Sequence, residues 1–463
     1  MSANPRRWWA LVVLAAAQFM VIMDTSIIGV ALPDMQQDLG FSQGGLQWVF
    51  NAYVVAFGGL LLLGGRLSDL FGARKIFSTG WAILIAGSVV AAAANSAWLE
   101  ILGRGIQGVG GALIAPAAMT LLMMLFSHDP RELGRAMSLY GAAAPAGGTA
   151  GVFLGGVITE YLSWPWVFIV YIPIGMAALL AVPSLLPATP GRRGSVDVVG
   201  GLSATAGIAL VVYAIVDLNW IAAAGGAALL ALFLIVQRTV KAPLMPLSIW
   251  RTPGLAASNL AMTLLGAAWI PMWYFLNLYL QQVLGYGAFP SGAALLPMTV
   301  AIMIFMIGIT ARLLGRFGAK PLIVLGLLVL AAGVVGLSFA RPDGSFVADV
   351  LPASLIAAVG MSLAYIPAMM SAMSGARPED AGLASGIVNT TYNVGSALGL
   401  AVMTAVATSR GAADLGNLTR LTDGFQAAFV GAAVVAAAGA VLSLVFMRTP
   451  GRAVQDQPDP ARV

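Results

Sequence analysis

The sequence contains no cysteine and a single histidine, and charge is scarce throughout. Without cysteine, disulfides and thiolate metal sites are excluded. One histidine, His128 in a polar loop, does not build a catalytic zinc or iron site. Only 9% of the 463 residues are charged, against 60% hydrophobic; a soluble domain carries about 25% charged residues. A water-facing surface cannot be assembled from so few charges. No Gly-x4-Gly-Lys-Ser/Thr run occurs, so nothing suggests ATP hydrolysis. These absences argue against an enzyme and against a bound cofactor, and they leave an ion gradient to drive any transport. The net charge of +5 could suggest nucleic acid, but in a membrane chain basic residues collect in cytoplasmic loops, and no nucleic-acid partner is expected.

Long apolar runs fill the chain, among them Trp8 to Val21 and Leu322 to Ala340. Runs near 20 residues cross a bilayer as helices. Fourteen spans are predicted, roughly at 8–32, 46–64, 76–94, 99–124, 135–159, 164–186, 198–217, 220–236, 255–283, 290–311, 321–340, 348–373, 381–409 and 424–447. Placing the N-terminus in the cytoplasm tests this count. Arg341, Arg410 and Arg420 then fall in outside loops and Arg104 within a span, while the rest of the 23 Lys and Arg fall on the inside. A wrong count would scramble that bias. The expectation is a multi-pass protein of the cell membrane with both termini cytoplasmic. The first apolar stretch continues to Leu32, so it is expected to remain as a helix and not to be cleaved as a leader.

Two inside loops resemble each other. Gly65-Arg-Leu-Ser-Asp-Leu-Phe-Gly-Ala-Arg74 and Ala311-Arg-Leu-Leu-Gly-Arg-Phe-Gly-Ala-Lys320 share Arg-Leu and Phe-Gly-Ala at the same offsets. Each follows the second helix of a six-helix block, which points to duplication. Parallel repeats of this kind are a transporter architecture, with substrate held near the midplane between the halves. The expected organisation is an N-terminal bundle over 1–187, a two-helix insertion with its linkers over 188–254, a C-terminal bundle over 255–449 and a disordered cytoplasmic tail over 450–463.

The loop from Gly65 to Lys75 resembles the signature between helices 2 and 3 of the major facilitator superfamily. Met23-Asp24-Thr25 with Val30-Ala31-Leu32-Pro33 is similar to the helix-1 motif of its fourteen-span drug:proton antiporters. Leu102-Gly-Arg104-Gly-Ile-Gln107-Gly-Val-Gly-Gly111 looks like the helix-4 motif built around a buried arginine, and Gly141 to Gly156 like the helix-5 antiporter motif. Trp164-Pro-Trp166 through Pro173-Ile-Gly175, and Gly382-Leu-Ala-Ser-Gly386 with Asn389-Thr390, continue the likeness. The chain departs from the pattern at Val152, where the family usually has Pro, at Pro165 in place of Arg, at Gly29 in place of a frequent Asn, and at Tyr392-Asn393 in place of Arg-Gln. The resemblance implies an all-α membrane fold of two six-helix bundles plus the two-helix insertion. It also implies proton-driven export of small lipophilic or cationic compounds such as drugs, dyes or antibiotics by alternating access. The alternative is a proton-coupled transporter of a dedicated metabolite or nutrient. The expected partners are the small-molecule substrate, protons and the lipid bilayer, with the chain acting as a monomer.

Within this frame, Asp24 reads as the only carboxylate deep in a span and Arg104 as the only basic residue there. A charge at the bilayer centre is costly and usually faces a cavity or a partner. A poised carboxylate holds either a proton or a cation, and that competition couples their movements. Arg104 would bias protonation of a nearby acid, or else serve as a permanent buried anchor. Gly147, Gly151 and Gly155, with Pro145 before them, place small residues on one helix face for close packing. Asp69, Arg74 and Lys75 form a candidate latch, which the resemblance supports. An exposed pair of this kind contributes about 0–1 kcal/mol and tilts an equilibrium without locking it. Trp269, Trp273 and Asn277 on helix 9, Asn51 on helix 2, and Asn389 and Asn393 on helix 13 supply the aromatic walls and few polar groups of an amphipathic pocket. Each could equally serve to pack helices. Gln281 and Gln282 are weaker candidates.

Overall fold

The computed structural model describes residues 6–188, 191, 194–374 and 381–447. The tail over 450–463, and Arg192, Arg193, Arg377 and Arg448 of the charge pattern, lie outside the described residues. The long helices are α1 (Arg7–Leu39), α2 (Trp48–Phe71), α3 (Ala73–Ala92), α4 (Ala97–Phe126), α5 (Pro130–Tyr161), α6 (Trp166–Leu185) and α7 (Val198–Val216). They continue as α8 (Trp220–Thr239), α9 (Leu255–Val283), α10 (Ala288–Phe317), α11 (Ala319–Leu337), α12 (Phe346–Met373), α13 (Ala381–Ala407) and α14 (Leu418–Phe446). Among the described residues, 13 helices are long and apolar enough to cross a membrane. The remaining one is α13, whose apolar run is diluted by Asn389, Thr390, Thr391 and Asn393.

Several helices outrun their apolar stretches. α1 continues through Pro33 and Asp34 to Leu39, and its 33 residues make it about 50 Å long, against a hydrocarbon core of about 30 Å. Hydropathy marks the part of a helix that sits in hydrocarbon, not its hydrogen-bonded ends. Large apolar side chains point outward, such as Leu180, Ile235 and Val434, as lipid contact requires. Exposed Trp98, Tyr161 and Trp220 stand at the ends of α4, α5 and α8 on the side opposite the N-terminus, where amphipathic rings form an interfacial belt.

The duplication is visible in the packing. In the first half α3 packs on α4 and α1 on α5; in the second α11 packs on α12 and α9 on α13, the same pairs eight helices on. The halves meet along two reciprocal seams, α2 against α13 and α5 against α10. The inserted α7 packs on both α2 and α13, so it covers one seam from the lipid side. The two similar loops are single-residue breaks. Gly72 (φ 95°) separates α2 from α3 and Gly318 (φ 78°) separates α10 from α11. Both stand at positive φ, which favours glycine. The shared Phe-Gly-Ala therefore encodes the same turn twice.

Candidate functional site

α1 crosses the interior of the first half, and the glycine face of α5 lies against it. Gly147 meets the backbone of Phe19, a Cβ on Gly151 would stand 2.9 Å from the Met23 carbonyl, and one on Gly155 would stand 2.7 Å from that of Ile27. Small residues every fourth position thus bring α5 onto the backbone beside Asp24. Pro145 lies within the same helix, one turn from Thr149.

Asp24 is 1% exposed and Arg104 is fully buried. Arg104 Nη1 donates to Asp24 Oδ2 at 2.7 Å and to Gln107 Oε1 at 2.8 Å, and its Nε donates to the Val49 carbonyl at 2.8 Å. Gln107 Nε2 donates in turn to Ser88 Oγ at 2.8 Å. The guanidinium lies 4.7 Å from the Tyr53 ring centroid and 5.8 Å from that of Phe168, close enough for cation–π attraction. Two side chains of α4, Arg104 and Gln107, therefore tie together α1, α2, α3 and α6. The network is not saturated: Asp24 Oδ1, Arg104 Nη2 and Tyr171 Oη are buried without partners. Ion pairs in low dielectric need every remaining polar atom satisfied to offset desolvation. An incomplete pair is correspondingly easy to rearrange.

Asp24 is not the only buried acid of this half among the described residues. Glu100 is completely buried in the first turn of α4, and neither carboxyl oxygen has a partner. Glu100 stands at the N-terminal end of α4, which starts at Ala97, and that first turn is packed inside the half. The visible signal was its position four residues before Arg104, which puts both on one helix face.

Of the pocket candidates, Trp273 reaches across to the first half. Its ring fills the space a side chain at Gly29 would occupy, and it lies 6.5 Å from the ring of Phe50. The absence of a side chain at Gly29 is what admits this indole. Asn393 makes a similar approach along the α2–α13 seam, its Cβ standing over Gly58. Asn277 and Asn393 each donate at 2.8 Å to the carbonyl four residues back, and Asn389 does so at 3.0 Å. Asn51 Nδ2 donates to Gln47 Oε1 at 3.1 Å. The Oδ1 atoms of Asn51 and Asn277 remain buried and unpartnered, leaving acceptors available to a ligand. Trp269 is buried one turn before Trp273, and no hydrogen bond ties it to the other five.

The latch residues stay apart in this conformation. Asp69 is exposed and forms no ion pair among the described residues; Arg74 Nη2 donates to the Pro183 carbonyl at 3.4 Å, and Lys75 is exposed. The halves are closed at the opposite end. Gln36 Nε2 donates to Gln43 Oε1 (2.8 Å), Gln43 Nε2 to Gln282 Oε1 (3.0 Å) and Gln282 Nε2 to Gln36 Oε1 (2.9 Å). Three amides from both halves thus form a closed ring. Nearby, the Phe289 amide of α10 donates to Glu160 Oε2 of α5 at 3.2 Å. Among the described residues, the hydrogen bonds between the halves lie at this face. Gln282 was visible as a polar residue near a helix end, but nothing in the sequence links it to Gln36 and Gln43.

The model of the Major Facilitator Superfamily matches residues 14–400. The chain belongs to this superfamily. It is 38% identical over 450 residues to the cephamycin export protein of Amycolatopsis lactamdurans, covering 94% of this chain and 92% of that one. It is also 38% identical over 430 residues to the puromycin resistance protein of Streptomyces alboniger, covering 89% and 84%. Among solved structures, the nucleoside transporter NupG superposes with a TM-score of 0.68 at 14% identity, covering 95% of this chain and 99% of the other, a likeness of fold. The protein is thus a multi-pass membrane transporter with the major facilitator architecture, two six-helix bundles and an inserted pair.

Proposed function

We propose that this transporter exports small amphipathic, antibiotic-like compounds, neutral or singly cationic, in exchange for protons. The two halves rock about the seams, and the chain acts as a monomer in the cytoplasmic membrane with both termini in the cytoplasm. The observation that carries this is the buried, incompletely bonded Asp24–Arg104 pair inside the first half. Such intramembrane ionisable groups mark ion pathways. The printed activities of the relatives, cephamycin export and puromycin resistance, support the substrate class. Protonation of Asp24 from the outer side releases substrate and permits return; loss of the proton to the cytoplasm restores the binding state. Each proton moving down the gradient supplies about 2.3 kcal/mol per 100 mV.

The test uses proteoliposomes with an imposed pH gradient and ethidium, a lipophilic monocation. Wild type moves the dye with the gradient, and Asp24→Asn, checked for fold by its melting curve, does not. Equal gradient-driven transport by both removes Asp24 from the coupling. Export of a dication at the same rate as ethidium overturns the charge class.

A further inference from the structure

The mechanism above uses one carboxyl, yet among the described residues the interior of the first half holds two. Glu100 has no exposed surface, and both of its oxygens lack partners. It lies within electrostatic reach of both Arg104 and Asp24. Residues four apart on a helix have Cβ atoms about 5–6 Å apart, so a change of rotamer brings the Glu100 carboxyl to the Arg104 guanidinium. Arg104 Nη2 has no partner, so the guanidinium has a nitrogen to give. The charged and titratable groups facing this cluster are Asp24 from α1, Tyr53 from α2, Arg104 from α4 itself and Tyr171 from α6; α3 and α5 bring none. One guanidinium thus stands among two acids. A single positive charge in low dielectric neutralises one carboxylate, and an unpaired second one is too costly to keep ionised there.

We propose that Glu100 and Asp24 share Arg104, and that Glu100 holds the proton the pair exchanges. In the conformation seen here, Asp24 is the ionised partner. When the O–H bond of Glu100 breaks and one forms on the Asp24 carboxylate, Arg104 turns to Glu100, and the net charge of the trio is unchanged. α4 runs inward from the face opposite the N-terminus, so Glu100 lies one turn, about 6 Å, nearer that face than Arg104. It stands on the side closed by the glutamine ring. Glu100 is therefore the acid that takes protons from that side and loads Asp24. This rests on the proton-coupled export proposed above.

The test is infrared difference spectroscopy of the full chain in lipid at neutral pH, reading the protonated-carboxyl band, alongside the ethidium flux assay. Wild type shows the band, and Glu100→Gln loses it. Asp24→Asn also loses it, because Arg104 then recruits Glu100 as its counter-ion and the proton leaves. A buried neutral glutamic acid with a merely structural role would keep its band in Asp24→Asn. Absence of the band in wild type, its survival in Glu100→Gln, or its survival in Asp24→Asn each overturns the proposal. Gradient-driven ethidium flux in Glu100→Gln falls about 100-fold, the lower end of what a positioned acid contributes to proton transfer; flux equal to wild type also overturns it. Failure of wild type to move ethidium would count against the export reading alone, because the spectra require no transported substrate.

Discussion

Breaking the glutamine ring is expected to open the face it closes. Gln282 takes part in two of the three bonds, accepting from Gln43 at 3.0 Å and donating to Gln36 at 2.9 Å. Gln282→Leu keeps most of the side-chain bulk and removes both. A net hydrogen bond contributes about 0.5–1.5 kcal/mol, so the closed state loses about 1–3 kcal/mol. That shifts the open-to-closed ratio by about 5- to 150-fold. The chain has no cysteine, so one reporter thiol can be placed without background. Ala288 is suitable: it is 6% exposed, and its carbonyl would stand 2.8 Å from a Cβ on Gly156 across the seam. A bulky maleimide reaches Ala288→Cys only when the seam parts. While closed molecules dominate, the labelling rate follows the open population. Labelling is expected to speed up by the factor above when Gln282→Leu is added. A rate within about twofold of the parent, in a protein with an unchanged melting curve, would show that the ring does not hold this face shut.

Three further outcomes follow from the packing. Gly29→Asn places a side chain where the Trp273 ring lies, and overpacking should cost about 1–3 kcal/mol; the melting temperature in detergent drops, and adding Trp273→Ala recovers it. Gly151→Leu pushes α5 off the Met23 carbonyl and Ser26 and is expected to lower yield and melting temperature more than the same change at Gly141, whose added Cβ meets nothing within 4 Å. Arg104→Gln strands the buried Asp24 charge and is expected to lower stability by about 3–5 kcal/mol; combining it with Asp24→Asn should return most of that loss in the same melting assay, and no recovery would show that the pair is not the source.

The sequence by itself determined the architecture. A bilayer demands long apolar helices, so their number, their order and the duplicated Phe-Gly-Ala turns could be read along the chain. Asp24 and Arg104 stood out for the same reason, because a charge inside such a run is conspicuous. Tertiary structure alone decided which side chains meet. Asp24 and Arg104 are 80 positions apart and Gln43 and Gln282 are 239 apart, and no local pattern encodes a contact made by packing one helix on another. The burial of Glu100 was not legible because hydropathy locates hydrocarbon, not burial: a carboxylate at the edge of an apolar run is exposed on an isolated helix and enclosed in this one. The indole of Trp273 could have packed within its own half, and it reaches α1 of the other half because Gly29, far away in the chain, leaves the room.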